Sequence, residues 1–365
     1  MEKICICGGG ALGHVIAGKG ASLGFHVSIL TRHPEQWQQQ LVVDDCNGNV
    51  FQGQLAAVSS NPAEVIPEAT VILLCLPGFA IEEELLRIKP YISPNTYIGS
   101  VVCCTGFFFM AYRLLGEEIP LFGFQRAPYI ARVDKYGCSA HLLGYKKELQ
   151  IATMNISDPE RLGSILEEMM STPVRLLANF LEASLTNSNP LLHPVRLYAM
   201  FRNWHKGDIY PEIPGFYNTW DDESSSLLIA CDEEFHKVLS VLPVVITPIP
   251  TLLDYYESHD AASLTRKIRS IVAFQPIPTP MKAEGEGYIP DFGSRYFLED
   301  FPFGLLIIKS VAEIMQIDTP HIDEVLIWGQ RVIGKNYMRN GRLSEADLRG
   351  TGYITAELFY KMIKA

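Results

Sequence analysis

Short apolar runs rich in β-branched residues recur through the first half of the chain, at residues 4–7, 27–30, 71–76, 97–102, 121–124 and 150–154. Most show no alternation with polar residues, so each predicts a strand buried on both faces, and the stretches between them carry helical spacing. Strands and helices in turn imply an α/β domain, a mainly parallel Rossmann-type sheet covered by helices. Ser157-Asp158-Pro159-Glu160 predicts a capping box, with Ser157 as N-cap and Pro159 in the first turn of a helix running to about Met170. One further strand is expected at 174–177.

Beyond that point the period changes. Segments 181–204, 223–239, 261–273, 303–315 and 321–334 place apolar residues at three- and four-residue steps. The second half therefore predicts an all-α C-terminal domain. The boundary falls near Glu182, giving an α/β Rossmann-type domain over 1–181 and a helical domain over 182–365. Pro-rich connections at 243–250 and 276–290 join the helices and would run over the surface or along a cleft.

A chain of 365 residues, 48% of them hydrophobic, exceeds what one core usually sustains and agrees with two domains. Its net charge of -11, with no Lys/Arg block, argues against nucleic-acid or membrane partners. An anionic ligand must then be met by a local positive site. Met1-Glu2-Lys3 runs into the first strand without a basic leader, and no apolar run reaches the ~18 residues of a membrane span, so a soluble protein is expected. The eight cysteines, two at alternating strand positions (Cys5, Cys7) and two adjacent (Cys103, Cys104), lack the spacing of a disulfide framework and suit a reducing, cytoplasmic location. There is no CxxC, HExxH or acidic ligand loop, and no metal is expected. The exposed face of the C-terminal helices is open to a homodimer, although no apolar stripe marks one.

The first strand runs into Gly8-Gly9-Gly10-Ala11-Leu12-Gly13, with a helix expected from about Leu12 to Leu23 and Gly24 to cap it. Strand, GxGxxG and helix together form the context a dinucleotide requires. Gly8 permits the tight turn, Gly10 admits a pyrophosphate, and Gly13 allows close packing. The helix N-terminus, at Ala11 and Leu12, offers unpaired N–H groups to the phosphates. The plain alternative is an ordinary strand-to-helix turn. The GxxxxGK spacing at 13–19 is rejected as a P-loop, because Gly20 stands where a Mg-binding Ser or Thr is needed and the segment is helical. Where the second strand ends, an NAD-preferring site usually has an acidic residue; here Thr31-Arg32-His33 stands instead. Hydroxyl, guanidinium and imidazole suit a 2'-phosphate, predicting NADP(H) in preference to NAD(H), with both usable if Arg32 is only a solvated side chain. Leu76-Pro77, at the end of the third strand, would line the dinucleotide.

At the domain junction stands Leu185-Thr186-Asn187-Ser188-Asn189-Pro190-Leu191-Leu192-His193-Pro194, where two prolines in a helical pattern predict a kink or an unwound turn around His193. A hydrogen-bonded core histidine is the plain reading of His193. The segment also resembles the LxNxNPxxHP signature of the octopine/nopaline (opine) dehydrogenase family. Arg295 to Leu305, RYFLEDFPFGL, is similar to that family's RxxxEDxPxGL stretch, and Thr319-Pro320-His321-Ile322-Asp323 to its TPxID. With the glycine motif, the likeness spans nearly the whole chain.

The resemblance implies a Rossmann domain joined to a helical domain like the C-terminal one of 6-phosphogluconate dehydrogenase. It also implies reductive condensation of an amino acid with a 2-oxo acid by NAD(P)H. By motif position His193 and Asp300 become the catalytic pair, the carboxylate fixing the imidazole that moves the proton. Arg295 becomes a carboxylate-binding residue, with Asn189 beside it. Two positions depart from the family. Arg126, in Gln125-Arg126-Ala127-Pro128, puts a cation where a small or hydroxylated residue is common and could bind a second carboxylate; Cys104 stands where a polar amide is often found. Two other functions stay open: simple reduction of a 2-oxo acid or ketone, as in ketopantoate reductases, and a non-catalytic NADP-binding sensor. The ketopantoate enzymes use a Lys as acid, and none occurs between Glu182 and Trp204.

Overall fold

A computed structural model describes residues 2–344 and 346–364, and the chain divides into two compact units between Ser184 and Leu185. In the first unit, strands β1 (Lys3–Cys7), β2 (His26–Leu30), β3 (Gln40–Asp45), β4 (Val50–Gln54), β5 (Ala57–Ser59), β6 (Val71–Leu74), β7 (Tyr97–Ser100), β8 (Leu121–Phe124), β9 (Tyr129–Lys135), β10 (Ser139–Tyr145), β11 (Leu149–Met154) and β12 (Val174–Leu176) form two sheets. The larger has the order β12-β11-β8-β7-β6-β1-β2-β5 and is parallel except where β11 runs antiparallel to β8. Its central strands read as unbroken apolar runs because both faces are covered: Ile4, Ile6, Leu73 and Phe122 are all buried in one core with Val15, Ile16, Leu162 and Leu166 from the helices.

Helices α1 (Ala11–Ser22), α2 (Pro62–Val65), α3 (Gly78–Ile88), α4 (Phe107–Leu115), α5 (Pro159–Met170) and α6 (Leu181–Ser184) complete this unit. The cap of α5 is Asp158, not Ser157: its side chain accepts the Arg161 N–H at 3.0 Å. Pro159 is the first helical residue, which makes the residue just before it the N-cap.

The second sheet, of order β4-β3-β10-β9, was not anticipated from the sequence. It packs on α1 through glycines. A Cβ on Gly53 would lie 2.2 Å from the Gly18 carbonyl oxygen, and one on Gly18 would lie 2.7 Å from the Val43 side chain. Its β3–β4 hairpin carries a readable signal, Asn47-Gly48, with Gly48 at φ +83° and Asp45 accepting the N–H groups of Asn47 and Asn49. Lys19 of the rejected P-loop spacing lies buried under this sheet. Its Nζ donates to the Met170 carbonyl at 2.8 Å and sits 5.5, 5.8 and 5.4 Å from the ring centres of Phe51, Tyr129 and Tyr145.

The second unit holds α7 (Asn189–Phe201), α8 (Asp222–Ser240), α9 (Leu252–Tyr255), α10 (Ala261–Ser270), α11 (Arg295–Leu298), α12 (Leu306–Ile314), α13 (Pro320–Val332) and α14 (Ala356–Met362). The single helix expected over 181–204 is two, α6 and α7, with 185–188 non-helical between them. Pro190 opens α7, where its missing N–H costs nothing, and Pro194 is carried inside it. The helical C-terminal domain expected from the sequence is present, and it also carries two small hairpins, β13 (Met281–Glu284) with β14 (Gly287–Pro290) and β15 (Met338–Arg339) with β16 (Arg342–Leu343). Each turns at glycine with positive φ, Gly285 at +57° and Gly341 at +74°. No helix among the described residues is long and apolar enough to cross a membrane.

Candidate active site

In the first unit, Gly8 turns the chain at φ +119°, and a Cβ there would lie 2.6 Å from the Cys75 carbonyl oxygen. A Cβ on Gly13 would lie 2.1 Å from the Gly8 carbonyl oxygen, so α1 is in backbone contact with the turn. Gly10 has open space around it and is the N-cap of α1 with no capping side chain. The first N–H groups of α1, at Ala11 and Leu12, thus have no partner within the helix and suit a phosphate.

A cleft of 230 Å³ beside this loop is lined by Gly8, Gly9, Thr31, Arg32, Leu76 and Tyr136, among others. Pro77 is the N-cap of α3. These residues fit a dinucleotide. Arg32 is exposed and pairs with Glu83 at 2.9 Å. Two groups from α3 that sequence reasoning missed line the same cleft: Glu84, whose carboxyl is pushed up by burial, and Arg87, which bonds it at 3.0 Å. Tyr136, also missed, comes from the turn between β9 and β10; its hydroxyl lies close over Gly9, 2.4 Å from where a Cβ would stand.

In the second unit, α7 presents His193 toward Asp300, which lies two residues beyond the end of α11. Nδ1 of His193 and Oδ2 of Asp300 are 2.8 Å apart, and the pair is largely buried. A carboxylate accepts only, so Nδ1 carries the proton. Nε2 then faces the hydroxyl of Tyr217 at 2.9 Å. The Tyr296 ring packs edge-on against His193 at 4.8 Å, and Phe216 at 5.7 Å. Tyr217 had no local signature in the sequence. It is stacked on Phe274 at 4.2 Å and nearly parallel to Trp220 at 6.2 Å, and burial drives its phenol far above the ordinary tyrosine range.

Arg196, one turn beyond His193 on α7, fixes the segment that bears Tyr217. Its guanidinium donates to the Phe216 carbonyl at 3.0 Å, the Thr219 carbonyl at 2.7 Å, the Thr219 hydroxyl at 2.8 Å and the Asp221 carboxylate at 2.9 Å. The three-residue step from His193 to Arg196 puts both on one helix face, a signal the sequence did contain.

The remaining expected residues are placed as follows. Asn189 is the exposed first residue of α7, one turn before His193. Arg295 opens α11, is exposed, and bonds Glu299 through Nε at 2.5 Å. Arg126 belongs to the first unit, in the half-buried connection between β8 and β9, and Cys104 is buried there. Thus His193, Asp300, Arg295 and Asn189 share one unit, and Arg126 and the glycine loop share the other.

A glycine-cradled nucleotide cleft on a parallel sheet, with a helical unit holding a carboxylate–imidazole pair, defines a pyridine-nucleotide dehydrogenase. Residues 176–333 match the family described as NAD/NADP octopine/nopaline dehydrogenase, alpha-helical domain, and residues 4–104 match ketopantoate reductase PanE/ApbA. Octopine dehydrogenase from Pecten maximus is 29% identical, over 96% of this chain and 94% of its own length. Tauropine dehydrogenase from Arabella iricolor is 26% identical, over 96% of each. A solved octopine dehydrogenase with NADH and L-arginine superposes with a TM-score of 0.87 at 26% identity, covering all of this chain and 98% of that one. The chain is similar to octopine and opine dehydrogenases over nearly its whole length and is an NAD(P)-dependent oxidoreductase acting on CH–NH donors.

Proposed function

We propose that the enzyme condenses the amino group of an amino acid with a 2-oxo acid, with NADPH preferred and NADH accepted, and that His193 and Asp300 are its acid/base pair. The observation that carries this reading is the 2.8 Å bond between Asp300 and His193 Nδ1, which fixes one tautomer and leaves Nε2 for proton transfer. Octopine dehydrogenase structures with L-arginine and with pyruvate support an amino acid and a small 2-oxo acid as substrates.

Gly8, Gly10, Ala11, Leu12 and Gly13 would hold the pyrophosphate, and Leu76 and Pro77 would flank the dinucleotide. The bound nicotinamide supplies a hydride. Thr31 and Arg32 would meet a 2'-phosphate, Arg32 exchanging its exposed pair with Glu83 for the stronger phosphate contact. Arg295, with Asn189 and Arg126, would bind substrate carboxylates. None of the eight cysteines forms a disulfide, and two lie in β1, which supports a cytoplasmic location.

The test is NADPH consumption with pyruvate, 2-oxoglutarate or oxaloacetate, each with and without pooled amino acids. Turnover that needs both an oxo acid and an amine is expected. Turnover with the oxo acid alone would move the enzyme to simple ketone reduction, and tight NADPH binding without turnover on any pool would favour a sensor.

A further inference from the structure

Both ring nitrogens of His193 are engaged: Nδ1 by Asp300 at 2.8 Å and Nε2 by Tyr217 at 2.9 Å. No nitrogen is left over for a substrate. The Tyr217 contact is also strongly determined. Its ring is stacked on Phe274 and lies nearly parallel to Trp220, and Arg196 bonds the carbonyls of Phe216 and Thr219 on either side of it in sequence. Side chain and backbone are thus fixed independently, and both fixings aim one hydroxyl at one nitrogen.

We propose that Tyr217 is a catalytic residue that carries the proton between His193 and the substrate oxygen, so that Asp300, His193 and Tyr217 work as a three-member relay. The proposal rests on His193 being the acid/base. A hydroxyl can do this without ionising, because it donates its own proton outward while accepting the Nε2 proton behind it. The burial that disfavours a phenolate agrees with a hydroxyl that stays neutral throughout.

In the condensing direction the amine nitrogen bonds to the carbonyl carbon, and the C=O π pair moves to oxygen. That oxygen takes the Tyr217 proton, and Tyr217 takes the Nε2 proton of the His193 imidazolium. The new cationic nitrogen then returns one proton through Tyr217 to His193. A second outward transfer protonates the hydroxyl, which leaves as water as the nitrogen lone pair forms the C=N bond. The balance is one proton consumed and one water released, leaving an iminium ready for reduction. The proton that re-arms His193 comes from solvent.

Tyr217→Phe keeps the stacked ring and removes only the hydroxyl. The relay predicts a fall in kcat of about 10²-fold or more, with NADPH Kd unchanged and the variant still folded at the assay temperature. Adding Tyr217→Phe to His193→Ala should cost little further, because members of one unit are non-additive. Wild-type kcat in Tyr217→Phe would overturn the relay and make the hydroxyl an occupant that substrate displaces. So would a full second loss in the double variant. Should the variant fold poorly, a proton inventory on the wild-type enzyme decides: a curved dependence of kcat on the D2O fraction is expected from two protons in flight, and a straight line would overturn the relay. The amine requirement is scored separately. Turnover with oxo acid alone would end the condensation reading, while the ratio of Tyr217→Phe to wild type on that substrate would still decide the relay.

Discussion

His14 fastens the glycine loop to the second sheet: its Nδ1 bonds the Gly10 carbonyl at 3.0 Å, and its Nε2 accepts the Gly137 N–H at 2.7 Å. The same ring stacks on Trp37 at 4.2 Å. One imidazole therefore sets the height of the β9–β10 turn, and with it Tyr136, over the nucleotide cleft.

His14→Ala leaves the Gly137 N–H without its partner and removes the stack, for a loss of about 2–4 kcal/mol in folding stability. Weaker NADPH binding should accompany it. Burial, opposed in part by the bonds to Gly10 and Gly9, holds the His14 pKa below the ordinary value. The unfolded ring then takes up a proton that the folded ring resists, so this contribution falls as pH drops through the usual histidine range. Urea melts of wild type and His14→Ala between about pH 8 and 5 should show the two stabilities converging toward acid; parallel curves would refute it.

Lys19 gives the opposite test at alkaline pH. Burial, partly offset by Asp45, lowers its pKa from 10.5 to about 8. Between those values the unfolded chain keeps a proton that the folded chain has released, so stability from this group rises with pH across that window. Lys19→Met keeps the volume, and the Met170 carbonyl retains the Tyr129 hydroxyl at 2.7 Å. The variant should be at least as stable as wild type near neutrality, by about 1–3 kcal/mol. The difference should shrink as pH rises, which cancels the titration of other groups common to both proteins. A marked loss at neutral pH would show that the cation's ring contacts outweigh its desolvation.

Cofactor choice is tested at Arg32 and Glu83. Arg32→Ala should lower kcat/KM for NADPH about tenfold or more while changing that for NADH little. Glu83→Gln should raise NADPH affinity by about 2–5-fold, because Glu83 competes for the same guanidinium at 2.9 Å. Equal losses with both cofactors in Arg32→Ala would leave Arg32 without a role in selectivity.

Asp300→Asn retains shape but loses the charge that favours the imidazolium. Turnover should fall by about 10²-fold or more, with NADPH binding near normal. Near-normal turnover in Asp300→Asn would remove the carboxylate from the mechanism.

The features legible in the sequence are those whose physics is local or periodic. Unbroken apolar runs such as 71–74 identify strands covered on two faces, and the glycine motif specifies a close strand–turn–helix contact because side chains at Gly8 and Gly13 would collide with Cys75 and Gly8, while Gly10 keeps open space at the helix N-terminus. The junction motif gives His193, and the later motif Asp300. Only the tertiary structure decided the rest. The second sheet rests on Gly18 meeting Gly53, a contact no periodicity records. Lys19, which belongs to a spacing rejected as a P-loop, is a buried cation because Phe51, Tyr129 and Tyr145 arrive from separate strands or their ends. Tyr217 is one aromatic among sixteen tyrosines until Arg196 and Phe274 fix it on His193. Proton transfer depends on distances of a few ångströms between residues far apart in the chain, and those are set by packing rather than by spacing.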